Sequence, residues 1–225
     1  MTSILSAESN TAARDRIFSR IRTGLPPETA LPDVPLYETG GDKVANFIAK
    51  LESFDGKAVM VKSREAALRW LDNNIEREGK CVYSAVAGFE GNFEVTDATD
   101  PHSANAVDIC VGEGILGVGE TGSVWVTEES LGLTACALFS TDLYLLLDSS
   151  AICSGIHQAY EIIDLTSIRY GSFFTGPSAT ADIEAVHITG AQGPLSLTVL
   201  LYNIPDASAT PELLTNPNAD TSVWQ

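Results

Sequence analysis

Residues 117–126 read Gly117-Val118-Gly119-Glu120-Thr121-Gly122-Ser123-Val124-Trp125-Val126, a carboxylate and two hydroxyls set among glycines just before an apolar run. That composition suits a phosphate cradle, a glutamate held for chemistry, or a tight hairpin. The glycines fit G-x-G-x-x-G twice, as Gly112, Gly114, Gly117 and again as Gly117, Gly119, Gly122. A dinucleotide fingerprint needs a helix directly after its glycines, because the helix N-terminus holds the pyrophosphate. Ser123-Val124-Trp125-Val126 prefer a strand, so the dinucleotide reading loses its physical basis. Two readings stay open. One is a hairpin with a solvated Glu120. The other puts Glu120 at the mouth of a sheet crevice, where the Gly119 and Gly122 amides and the Thr121 and Ser123 hydroxyls hold an anionic group. In a desolvated crevice Glu120 is also the candidate catalytic nucleophile.

A second constellation lies downstream. Gly176-Pro177-Ser178-Ala179-Thr180-Ala181-Asp182-Ile183-Glu184 is followed by Gly190-Ala191-Gln192-Gly193-Pro194. Ordering such a long, hydroxyl-rich loop is costly in entropy, and loops of this kind often serve binding. Gly176, Ser178, Thr180 and Gln192 are then ligand-binding candidates, with Asp182 orienting the loop. The plainer alternative is a turn capped by Ser178, with Asp182 and Glu184 as surface acids. Cys81, Cys110, Cys136 and Cys153 are widely spaced, and His102, His157 and His187 form no ligand pattern, so neither a metal site nor an iron–sulfur cluster is expected. No cofactor can be named from these residues.

The elements that must position these groups follow from periodicity. The run Asn10–Leu25 places Ala13, Ile17, Ile21 and Leu25 on one helical stripe with Phe18 beside it, and Pro26-Pro27 stops it. A second amphipathic helix carries Val44, Phe47, Ile48, Leu51 and Phe54, and a third buries Leu68, Leu71 and Ile75 behind a Ser63 cap. Short strands at residues 57–61 and 81–86 alternate with these helices, the pattern of a mainly parallel sheet flanked by helices. From Asp108 onward strand-like runs with glycine turns dominate. The apolar run Leu131–Asp148 is interrupted by Ser140, Thr141 and Asp142 and reads as two strands around a turn. A helix is expected around residues 155–168, strands at 172–176 and 184–190, and a final strand at 195–203 that is apolar on both faces. The predicted organisation is an N-terminal helix and extended connection over 1–40, an α/β domain over 41–204, and an irregular tail over 205–225.

The chain has 225 residues, thirteen basic against thirty acidic, for a formal net charge of −17. A surface this negative repels phosphate backbones and anionic lipid heads, so nucleic-acid binding and membrane insertion are not expected. No basic–apolar–small leader pattern opens the sequence, and a cytoplasmic protein is expected.

Taken in order, "GETGS", "TGPSATADIE" and "GAQGPLSLTVLLYN" resemble the LUD-domain family over about residues 11–203. The resemblance implies a fold similar to the glucosamine-phosphate deaminase, ribose-phosphate isomerase and CoA-transferase group. It also implies a part in oxidising L-lactate to pyruvate alongside iron–sulfur partner proteins; the expected role of this chain is then to bind a small anionic metabolite or cofactor, or to dock against those partners. Where the family commonly carries Gly-x-His-Gly-Pro, this chain has Gln192. Glutamine hydrogen-bonds but takes up no proton near neutrality, so no general base stands at that position. Glu120-Thr121-Gly122 further resembles the Glu-Asn-Gly turn of CoA transferases, whose glutamate carries an acyl group. The rival readings are therefore an independent acyl-handling enzyme using Glu120 and a non-catalytic structural or regulatory module.

Overall fold

The structure is a computed structural model that describes residues 7–27, 29, 30, 32, 35, 40–96, 99–181 and 188–203, with side chains from Thr11 onward. It divides into two compact units, Met1–Pro35 and Leu36–Gln225. The first holds one helix, α1 (Ala7–Gly24), whose Ile17, Phe18 and Ile21 are exposed, with the Arg14 guanidinium 4.8 Å over the Phe18 ring.

The second unit opens with α2 (Lys43–Ser53). Asp42 caps it by accepting from the Val44 and Ala45 amides, and Phe47 and Leu51 point into the core. The helix turns back into β1 (Lys57–Met60), then α3 (Arg64–Asn74), capped by Ser63 and buried through Ala67 and Leu71. Next come β2 (Val82–Ser84), β3 (Ile109–Glu113), and the hairpin β4 (Leu116–Val118) and β5 (Ser123–Thr127). Two short helices, α4 (Glu128–Leu131) and α5 (Thr134–Phe139), lead to β6 (Asp142–Asp148), β7 (Ile152–Cys153) and α6 (Ile156–Ile162). The unit closes with β8 (Gly171–Phe174), β9 (Ala179–Thr180), β10 (Ile188–Thr189) and β11 (Ser196–Tyr202).

The main sheet runs β1-β11-β6-β3-β2, parallel throughout. Its central strands carry continuous apolar runs because helices cover both faces: Leu143, Leu145 and Leu147 point to one cluster with Phe47 and Leu51, while Leu146 and Leu200 meet Ala67 and Leu71 on the other. A second sheet, β7-β4-β5-β8, is mostly antiparallel and packs a small core of Leu116, Val118, Trp125 and Ala159. The fold is thus α/β with a mainly parallel central sheet, as the helix–strand alternation implies.

One element differs in kind. The first half of Leu131–Asp148 is helical, not a strand: α5 buries Cys136 and Ala137 against the core, and the Leu133 amide donates to the Tyr83 hydroxyl at 3.0 Å. Small residues let this short helix lie close to the sheet, and tertiary packing decides what a six-residue apolar run leaves ambiguous. Helix α6 is also shorter than the expected 155–168, and residues 184–187 of the expected penultimate strand lie outside the described residues.

Candidate functional site

The β4–β5 turn lies along α2. A Cβ on Gly119 would stand 2.9 Å from the Lys43 carbonyl, and one on Gly122 (φ +67°) 2.3 Å from the Leu51 amide nitrogen. The glycines are therefore required for close approach of two backbones. Their amides are occupied: Gly119 donates to Cys153 O, Glu120 to Ser154 O, and Gly122 to Val118 O. The expectation that glycine amides hold an anion is overturned here, because the hairpin and its neighbouring strand β7 already use them. The side chains remain.

Those side chains meet a second segment. Ser123, only 6% exposed, hydrogen-bonds the Thr121 hydroxyl at 2.8 Å and the Thr175 hydroxyl at 2.6 Å. Since Ser123 has one hydrogen and gives it to Thr121, Thr175 donates to Ser123. The chain runs Thr175 to Ser123 to Thr121, which leaves the Thr121 hydrogen free to donate onward. Gly176 (φ +64°) presses the same loop onto the end of α2, where an added Cβ would meet the Phe54 carbonyl.

Between these segments and α2 lies a cleft of about 620 Å³, lined on the helix side by Lys50, Phe54 and Asp55 and on the loop side by Glu120, Thr121, Thr175, Pro177 and Ala179. Phe54 is 56% exposed because it forms the wall rather than joining the core stripe. Among the described residues Lys50 has no ion-pair partner. Glu120 is partly committed: its Oε2 accepts from the Ile156 amide at 2.9 Å, capping α6 in place of Gly155, which has no side chain to do so.

Asp55 is the residue that sequence reasoning passed over. It is left-handed (φ +61°), its amide donates to Glu52 O, and the Gly56 amide donates to Leu51 O, which together close α2 as a Schellman motif. Glycine would normally hold the left-handed position. Here Gly56 is needed one residue later, where a Cβ would fall 2.4 Å from the Leu51 side chain. The Asp-Gly pair at the end of a periodic helix was the available signal. Lys50 had none beyond its place in the last turn.

Ser178, Thr180 and Gln192 are not among the residues that line this cleft, although Pro177 and Ala179 beside Ser178 are. Ser178 packs on Gly193, its amide donates to Pro194 O, and its carbonyl accepts from Gly190, so it fastens the 190–194 turn. Thr180 sits in β9, paired with β10, and Gln192 is exposed in the turn. Asp182 and Glu184 lie outside the described residues. The cleft also lies elsewhere than expected of α/β proteins, whose ligands sit beyond the carboxyl ends of the strands. Phe54 and Asp55 line the cleft and lead into β1, so it borders the edge where that strand begins.

A parallel sheet with a side hairpin closing a cleft against an amphipathic helix defines an α/β protein with a ligand-sized recess. Residues 97–202 match the family model of the LUD domain. In fold the chain is similar to a DUF162 family protein from Deinococcus radiodurans, with a TM-score of 0.53 and 12% identity over 71% of this chain and 96% of that one. No curated protein matches. Residues 97–202 are thus a LUD-type segment, similar to a domain related to lactate utilization proteins.

Proposed function

We propose that this chain is a LUD-domain protein and a cytoplasmic, non-redox component of L-lactate oxidation to pyruvate, similar in role to lactate utilization protein C. In this reading it works beside iron–sulfur partner proteins, which carry the electrons, and its cleft holds a small carboxylate. One observation carries the reading: the Thr175–Ser123–Thr121 hydroxyl chain of the LUD-matched segment shares a cleft with Lys50, an ammonium without a described carboxylate partner. An ammonium and a free hydroxyl hydrogen on facing walls suit a carboxylate, which accepts from both. Asp55 and Glu120 on the rim disfavour larger polyanions by like-charge repulsion.

Calorimetric titration with L-lactate and with pyruvate, on wild type and Lys50→Met, tests the site. Co-expression with iron–sulfur lactate-utilization proteins, followed by affinity purification, tests the setting. Expected are saturable binding of at least one acid, its loss in Lys50→Met, and recovery of the partners. Absence of both binding and association overturns the proposal.

A further inference from the structure

The charge of this chain is unevenly placed. Residues 36–225 contain 26 of the thirty acids and nine of the thirteen basic residues, which is the whole net charge of −17. From Thr11 to Gly24, by contrast, α1 carries Arg14, Arg16, Arg20 and Arg22 against Asp15 alone. At about 100° per residue, Ile17, Ile21 and Phe18 span an apolar stripe about 100° wide. Arg14 falls inside that stripe, and Arg20 and Arg22 border it on either side. The basic and apolar groups therefore share one face. Such a face does not suit an ordinary core, which would take the Arg14 guanidinium and its exposed Asp15 partner out of water. It suits a surface that is both apolar and acidic.

The second unit has one at its strand-start edge. Phe139 and Leu195 are 55% and 54% exposed, and both lie next to Thr141, which Phe139 precedes by two residues and whose carbonyl accepts from the Leu195 amide. Asp142 follows Thr141, and the Asp108 carbonyl accepts from both the Thr141 and Asp142 amides, which sets two acids at this edge; Asp142 also accepts from Ser196 and lies 4.0 Å from Lys80, and Asp108 accepts from the Cys81 amide. An 18-residue helix of this composition is marginal without tertiary packing. We infer that α1 of one chain docks on the Phe139–Leu195 edge of a second copy, with the exchange repeated by the two-fold. The Ile17–Phe18–Ile21 stripe covers the apolar pair, and the arginines face Asp108 and Asp142. Reciprocal exchange makes the contact twice per dimer. An anionic membrane is a poorer occupant, because three inserted side chains give little depth and the −17 unit is repelled.

Light scattering on the full chain at micromolar concentration tests this. The wild type is expected at twice the 23.9 kDa chain mass in low salt and to shift toward monomer in molar salt. Ile17→Asp with Ile21→Asp, and separately Leu195→Glu, are each expected to give monomers with unchanged circular dichroism melting of the second unit. Because these substitutions touch exposed positions on two different elements, concordant loss identifies the contact. A monomeric wild type overturns the inference. So does a dimer that survives either variant, or helix variants that lose only vesicle sedimentation with anionic lipid.

Discussion

Glu120 and Asp55 are the two carboxylates of the cleft, and each also has a structural task that can be separated from ligand binding. Glu120 caps α6 through Oε2, so Glu120→Ala is expected to lower stability by about 1 kcal/mol, the usual size of a lost cap. Glu120→Gln keeps an acceptor oxygen and should fall within a few tenths of wild type in urea unfolding. A difference in the opposite order would remove the capping role. Asp55 holds a left-handed backbone that glycine adopts freely, so Asp55→Gly should raise stability by roughly 0.5–1 kcal/mol, whereas Asp55→Ala should lower it by about 1 kcal/mol. Glu120 was legible as a site candidate because it stands alone among glycines. Asp55 was not, because a left-handed aspartate and an ordinary Asp-Gly turn look the same until Leu51 is seen to claim the space at Gly56.

At the level of elements, the central strands were readable from their apolar runs and α2 and α3 from their stripes, since burial on a known period leaves a direct trace in sequence. The strand at Leu131–Phe139 failed for the converse reason: Cys136 and Ala137 fit a helix against the sheet as readily as a strand within it, and only the packing decides. Cleft formation was half visible. The glycine-rich turn and the Gly176 loop were both singled out, but nothing in their composition says that each is pressed onto the same helix. That shared contact makes a sharp prediction. Gly176 (φ +64°) and Gly79 (φ +72°) are both left-handed, yet an added Cβ meets the Phe54 carbonyl at Gly176 and nothing within 4 Å at Gly79. Alanine at Gly79 should cost about 1 kcal/mol from backbone strain alone. Alanine at Gly176 should cost about 2–3 kcal/mol or more and should weaken carboxylate binding as the loop lifts from α2. Equal penalties in parallel urea titrations would mean that the loop does not rest on the helix.

For the whole molecule, the decisive property is a core that keeps acidic groups neutral inside a strongly anionic shell. Burial pushes the Cys136 thiol up to about 11, helped by nearby Cys81, and it pushes the Cys110 thiol up as well, with Cys136 beside it. Tyr83 and Tyr144 are raised in the same direction, again first by burial. In each case the folded value lies above the unfolded one, so the folded chain holds protons that the unfolded chain has already released. Stability from these groups is complete below the ordinary thiol range and is lost as pH rises toward their folded values. In a chain already at −17, each further negative charge also adds to self-repulsion. The urea midpoint should therefore be nearly level up to about pH 8 and fall steeply between about pH 9 and 11. Cys136→Ala, compared with wild type over that interval, should show a lower midpoint at neutral pH from the lost packing but a shallower decline. Parallel curves would place the alkaline loss in charge repulsion alone and leave the buried thiols no part in it.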